Sequence, residues 1–245
     1  MNLLLLSSSR ANNSDYLTPN LAWIKTHLSK VSSVLFIPYA GVTISHEQYY
    51  LNVKAALASL NIRVVALHHQ ADVKAAVLNA EAILIGGGNT FQLVNLLYKN
   101  DLINAIRQRV TEGMPYIGWS AGANIAGETI RTTNDMPIVE PSSFATLHFL
   151  NAQLNPHYTD VVPADFHGET RDMRLAEFMQ LNPSVPVIGL PEGTALKITD
   201  NQIVQLGQAG GYWFLAGTKQ AIAENTELTA QFAATLSRPL LNHAS

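Results

Sequence analysis

The pentapeptide Gly118-Trp119-Ser120-Ala121-Gly122 closes an apolar run and opens a stretch of small, helix-compatible residues. This is the pattern of a nucleophile elbow, G-x-S-x-G, in which a sharp strand-to-helix turn lifts a serine oxygen above a sheet. Glycines suit such a turn because neighbouring segments crowd it. The amide of Ala121 would point to where an oxyanion forms. A serine hydroxyl is a weak nucleophile and needs a base, and the base needs a carboxylate to hold its tautomer. By itself the pentapeptide reads equally well as a glycine-rich turn with an incidental serine.

A second glycine run, Gly86-Gly87-Gly88, follows "AILI" and precedes Asn89-Thr90 and a helical pattern. It fits neither G-x-x-x-x-G-K-[ST] nor G-x-G-x-x-G. It reads either as an anion-holding loop at a helix start or as the source of a second oxyanion donor, with Gly88 the candidate. For the base there are eight histidines. His68 and His69 follow an apolar run. His148 and His157 both lie in "TLHFLNAQLNPHYTD", and His157 is better placed because Asn155-Pro156 signals a turn just before it. Two carboxylates compete for the third role. Glu192, in "GLPEGTAL", follows an apolar run and belongs at the same sheet edge as Ser120. Asp135, in "RTTNDMP", lies in a polar loop and also reads as a turn residue before Pro137. The chain has no cysteine, so it offers no thiolate metal ligands, and it contains no H-E-x-x-H pair. The expected chemistry uses no metal and no cofactor.

These residues need a scaffold, and the hydropathy pattern supplies one. Near-continuous apolar runs at 2–7, 33–39, 63–67, 82–87, 115–119 and 185–190 read as strands buried on both faces of a parallel sheet. Between them, helical periodicity falls near 18–31, 45–60, 70–79, 90–98, 100–112 and 171–181, with Ser45 a plausible N-cap. Strand–helix alternation of this kind predicts an α/β fold: a doubly wound, mostly parallel sheet with helices on both faces, in one domain over 1–245. The stretch "TALKITDNQIVQLGQAGGYWFLAG" reads as short strands joined by turns, a small antiparallel C-terminal extension. After Gly217 the tail reads as helical.

Composition narrows the partners. Charged residues make up 13% of the 245 residues and the net charge is −3, with no basic block. Nucleic acid is therefore not an expected partner, since phosphate binding needs clustered Lys and Arg. The opening "MNLLLLSSS" has no basic segment and only four leucines in its apolar run, too few for a secretory signal. No stretch reaches membrane-spanning length. The expectation is a cytoplasmic protein, a monomer or small homo-oligomer.

The segments "IGGGNTFQL", "GWSAGAN", "RTTNDMPIV", "LNPHYTD", "HGETRD" and "GLPEGTAL" resemble the peptidase E family of α-aspartyl dipeptidases. The similarity runs from "LLLLSSS" and "FIPYAGVT" to the turns near Gly217. It implies a fold like that of class I glutamine amidotransferase domains, with serine in place of their cysteine. The implied activity is hydrolysis of small Asp-X dipeptides to release free aspartate. By motif, Ser120 is the nucleophile and His157 the base, and Gly88 and Ala121 line the oxyanion hole. The resemblance admits either Glu192 or Asp135 as the third member; the strand-edge placement favours Glu192 and leaves Asp135 to shape its loop. Arg171 matches the residue that recognises the substrate aspartate, and Asn89 is a further expected substrate contact. A cation is disfavoured at a helix start, so Arg171 at the head of "RDMRLAEFMQL" has another reason to be there than pairing with Glu169 or Asp172. Arg174, one turn on, is the alternative. Two other readings compete: a hydrolase of β-aspartyl linkages resembling cyanophycinase, and a non-catalytic module that binds an anion on its glycine loops.

Overall fold

A computed structural model of the chain describes residues 1–200 and 202–236. Its strands, in chain order, are β1 (Leu3–Leu6), β2 (Ser33–Ile37), β3 (Arg63–Ala66), β4 (Ile83–Ile85), β5 (Tyr116–Trp119), β6 (Gln153–Pro156), β7 (Val187–Leu190), β8 (Ala195–Thr199), β9 (Gln202–Leu206), β10 (Gly211–Leu215) and β11 (Thr218–Ile222). The α-helices are α1 (Leu21–His27), α2 (His46–Ala56), α3 (Val73–Leu78), α4 (Thr90–Lys99), α5 (Ile103–Thr111), α6 (Ala121–Asn124), α7 (Arg171–Leu181) and α8 (Thr229–Leu236).

Seven strands form a central sheet in the order β3-β2-β4-β5-β1-β8-β9. The first five are mutually parallel, and β8 and β9 run antiparallel at one side. The continuous apolar runs follow from burial on both faces. Leu3 and Leu5 of β1 join one buried cluster, with residues of α4 and α5, while Leu4 and Leu6 join another, with residues of α1 and α2. Helices therefore cover both faces, and alternate side chains of one strand feed two cores. Ser45 caps α2 as its type suggests, accepting a hydrogen bond from the Gln48 amide at 3.1 Å.

The rest of the chain departs from the expectation of one sheet with a small extension. The run at 185–190 does not enter the central sheet. As β7 it belongs to a second, four-stranded sheet in the order β11-β10-β7-β6, parallel to β6 and antiparallel to β10. A buried apolar run specifies burial on both faces but not which sheet provides it. The segment after Gly217, expected to be helical, begins with the exposed edge strand β11 before reaching α8; residues 237–245 lie outside the described residues. One buried cluster takes side chains from both sheets, among them Leu3, Ile188 and Trp213. Among the described residues, no helix is long and apolar enough to cross a membrane.

Candidate active site

Ser120 stands between β5 and α6 with φ 54° and ψ −113°. A non-glycine residue held there stores roughly 1–3 kcal/mol of backbone strain. The flanking glycines make the turn possible by close approach. A Cβ at Gly118 would lie 2.2 Å from the Gly122 carbonyl oxygen, and one at Gly122 would lie 2.1 Å from that of Ile85. The elbow is braced from below. The Tyr116 hydroxyl donates to the Gly122 carbonyl at 2.6 Å, and the Asn124 amide donates to Leu154 O in β6 at 2.7 Å.

His157 and Glu192 arrive from the other sheet, at the ends of β6 and β7. His157 Nε2 is 2.9 Å from Ser120 Oγ, and His157 Nδ1 is 2.7 Å from Glu192 Oε1. The order hydroxyl, imidazole, carboxylate lets Ser120 O–H donate to Nε2 while Nδ1–H donates to Glu192. Ser7, just beyond β1, sets this register. Its Oγ accepts from the His157 backbone N–H at 2.9 Å and donates to Leu190 O at 2.7 Å. One buried hydroxyl thus ties the ends of β6 and β7 to the strand beside the elbow.

The glycine loop closes against the serine. Gly88 has φ +137°, and a Cβ there would meet the Ala40 carbonyl oxygen at 2.1 Å, so no other residue fits. The next amide, of Asn89, donates to that same carbonyl at 2.8 Å. The Gly88 and Ala121 N–H groups donate to no acceptor among the described residues. Each lines a cavity that reaches Ser120 and His157.

The cavity on the Ala121 side has a volume of about 260 Å³ and also contains Arg171, Asp135 and Asn134. Arg171 is the first residue of α7, whose N-cap Thr170 accepts from the Met173 amide at 3.2 Å. The local pairings open to Arg171 are not made. Arg174 pairs with Glu169 at 3.5 Å, and Asp172 pairs with Lys219 at 2.9 Å. The Arg171 guanidinium makes no ion pair or hydrogen bond among the described residues. Burial, and then the neighbouring Arg174, lower its pKa, with Asp135 acting the other way.

Residues 3–206 match peptidase family S51. The chain belongs to this family. It is 48% identical to peptidase E of Shewanella denitrificans over 214 residues, covering 87% of this chain and 91% of the relative. It is 44% identical to peptidase E of Shewanella amazonensis over 227 residues, covering 92% and 97%. In structure it resembles a peptidase from an acI-B1 actinobacterium, with a TM-score of 0.66 at 17% identity over 92% of this chain and 95% of that one. The protein is a peptidase, a hydrolase of peptide bonds.

Within this S51 peptidase the remaining candidates fall away from the serine or serve the scaffold. Asp135 does not touch His157. Its Oδ2 accepts from the Thr90 amide at 2.7 Å and the Thr90 hydroxyl at 2.5 Å, which fastens its loop to the head of α4. Both polar atoms of Asn89 are likewise engaged. Its oxygen caps α4 through the Gln92 amide at 3.0 Å, and its nitrogen donates to Met136 O at 2.8 Å. Asn89 lines the cavity wall with one N–H and one oxygen lone pair already used, so it serves as the α4 cap and keeps a second N–H. His148 bonds Asn151 at 2.9 Å, and His68 and His69 both meet Glu47, at 3.0 and 2.6 Å.

Sequence reasoning missed Ser7, and also Lys219 of β11. The Lys219 ammonium bonds Asp160 at 3.0 Å and Asp172 at 2.9 Å, and lies 4.3 Å from the Tyr212 ring centroid and 5.3 Å from that of Tyr158. The Tyr158 hydroxyl donates to Asp172 in turn. The residues that directly follow His157 and Arg171, Tyr158 and Asp172, thereby share one cation. The signal for Ser7 was a hydroxyl at a strand's carboxyl end; Lys219 gave none.

Proposed function

We propose that this S51 peptidase is a serine-type dipeptidase that cleaves Asp-X and releases free aspartate through an acyl-enzyme on Ser120. The observation that carries the reading is an unpaired, half-buried guanidinium, Arg171, in the same small cavity as a hydroxyl–imidazole–carboxylate chain. A side-chain carboxylate entering that cavity loses water and needs a cation to compensate. Arginine's planar fork meets both carboxylate oxygens with parallel hydrogen bonds.

Each residue then has one task. Ser120 Oγ attacks the carbonyl carbon while His157 Nε2 takes its proton, and Glu192 stabilises the imidazolium. The Gly88 and Ala121 amides donate to the developing oxyanion, a contribution worth roughly 3 kcal/mol per donor in comparable sites. The C–N bond breaks as Nε2–H passes its proton to the leaving amine. Water, deprotonated by the same histidine, then hydrolyses the ester and restores Ser120. Asp135 and Asn89 act at a distance by holding the α4 end of the glycine loop. The fold is read as akin to that of class I glutamine amidotransferase domains, which present a nucleophile at the same kind of turn.

The test is kcat/KM on Asp-Leu, Asn-Leu, Glu-Leu and β-Asp-Leu. Asp-Leu should far exceed the rest, since Asn lacks the charge and Glu is one methylene too long. Arg171→Met should cut the Asp/Asn ratio by roughly 2–5 kcal/mol in free-energy terms, as for a buried charge pair losing one partner. An unchanged ratio would move recognition to Arg174. Preference for β-Asp-Leu would instead place the protein among hydrolases of β-aspartyl linkages.

A further inference from the structure

Ser120 and His157 also border a second, larger cavity of about 740 Å³ on the Gly88 side. Its walls differ from those around Arg171. Val42, Ile44, Ile138 and Trp119 supply an apolar surface, with Val42 and Ile138 left 53% and 56% exposed. No carboxylate lines it, and Arg10 is the one arginine or lysine among its lining residues. The Arg10 guanidinium has no ion pair or hydrogen bond among the described residues; only its backbone carbonyl is used, by the Ser8 hydroxyl. Beside it, the Tyr16 hydroxyl is buried without a hydrogen-bond partner. The Tyr16 ring packs edge-on against Trp119, with centroids 6.4 Å apart. Buried hydroxyls are nearly always satisfied, so an unpartnered one beside a cavity is available to donate to a bound group. Burial, and then the neighbouring Tyr49 hydroxyl, hold the Tyr16 hydroxyl far above its ordinary pKa, with Trp119 and, least, Arg10 acting against that trend, so the group is a neutral donor.

A peptide bound for attack by Ser120 has two sides. If the aspartate side chain reaches Arg171, the residue that leaves as the amine must point the other way. We propose that the larger cavity is the subsite for this leaving residue: its side chain lies on the Val42–Ile44–Ile138–Trp119 wall, and its free α-carboxylate is bound by the Arg10 guanidinium and the Tyr16 hydroxyl. The substrate class is then Asp-X with a large apolar X and an unblocked C-terminus. This explains a limit to dipeptides, because a longer chain would put a neutral amide where Arg10 and Tyr16 await an anion. The inference rests on the reading of Ser120 and Arg171 given above.

The experiment compares kcat/KM for Asp-Leu, Asp-Leu-amide and Asp-Gly in the native protein and in Arg10→Met, Arg10→Lys and Tyr16→Phe. The native protein should favour Asp-Leu over its amide by roughly 10–100-fold, the worth of charge-assisted hydrogen bonds, and Asp-Leu over Asp-Gly. Arg10→Met should slow Asp-Leu selectively until acid and amide are cleaved alike, and Arg10→Lys should restore part of the ratio. Tyr16→Phe should lower the ratio by a smaller factor. A native acid-to-amide ratio near one, or an Arg10→Met variant that slows both substrates equally, overturns the subsite. Equal cleavage of Asp-Leu and Asn-Leu would instead overturn the Arg171 reading, and the acid-to-amide ratio would still judge Arg10.

Discussion

The two sheets bring different parts of the site and hold them differently. The central sheet delivers Ser120 and the Gly88 and Ala121 amides on closely packed backbone. The elbow sits at a strained φ, and its glycines touch carbonyls of neighbouring segments. The second sheet delivers His157 and Glu192 on side chains that remain 38% and 55% exposed. An attacking oxygen and its oxyanion donors must be placed to within a fraction of an ångström before substrate arrives. A base and its carboxylate need only a continuous hydrogen-bond chain, which side-chain rotations can tune. The two sides meet at the buried Ser7 hydroxyl, which holds the His157 backbone at its own φ of 54°, and at the Asn124–Leu154 bond beneath the elbow.

This contrast can be broken at each point. The largest effect should come from the rigid side. Ser120→Ala removes one oxygen and no packing, so kcat should fall by several orders of magnitude, as for other triad serines. Thermal unfolding should stay within a few degrees of native. Near-normal turnover would remove the acyl-enzyme.

On the adjustable side, Glu192→Gln should lower kcat by roughly 10²–10⁴ with little change in KM, because an amide can hold the imidazole in the wrong tautomer. Asp135→Asn should cost far less in kcat and show itself as about 1 kcal/mol of lost stability through weaker bonds to Thr90. Stopped-flow rates and thermal melts on both variants separate the two carboxylates. A larger kcat loss in Asp135→Asn at unchanged stability would reverse their roles.

The smallest effect should come from the joint. Ser7→Ala leaves the His157 N–H without its partner and takes one of two donors from Leu190 O, which keeps the Tyr158 N–H, at roughly 1–3 kcal/mol of stability. It should also lower kcat about tenfold by loosening the base, a step far below the loss in Ser120→Ala. If the melting temperature falls and kcat holds, Ser7 joins the sheets without placing His157.

The same contrast explains what could be read from residue order. The central strands were legible because both their faces are buried, and the elbow was legible because five adjacent residues make it. The strand β6 was not. It is built from Gln153, Leu154, Asn155 and Pro156, and its buried amide nitrogens donate across space, while Gln153 Oε1 and Asn155 Oδ1 have no hydrogen-bond partner among the described residues. Gln153 donates to Thr129 at 2.8 Å and Asn155 to Thr132 O at 2.7 Å. A strand that buries polar groups this way has no apolar rhythm to detect. The exposed β11 hid for the opposite reason, having almost no buried face. His157 and Glu192 could be placed near an edge, but their joining to Ser120 depends on Ser7, which is 150 positions from His157. Pattern reasoning works over a turn of helix or a strand, and contacts of that span leave no local trace.

Lys219 has a consequence best stated in chain statistics. Its ammonium grips Asp160 and Asp172 together, so the segment between them, with Val161 78% exposed, is tied off as a loop at a single point. Closing a loop costs entropy that grows only slowly with its length. Here that cost is met by one atom rather than by contacts spread along the segment. Neutralising Lys219 would release the Asp160 end and leave the Asp172 end, at the head of α7 where Arg171 stands, held by the Tyr158 hydroxyl alone.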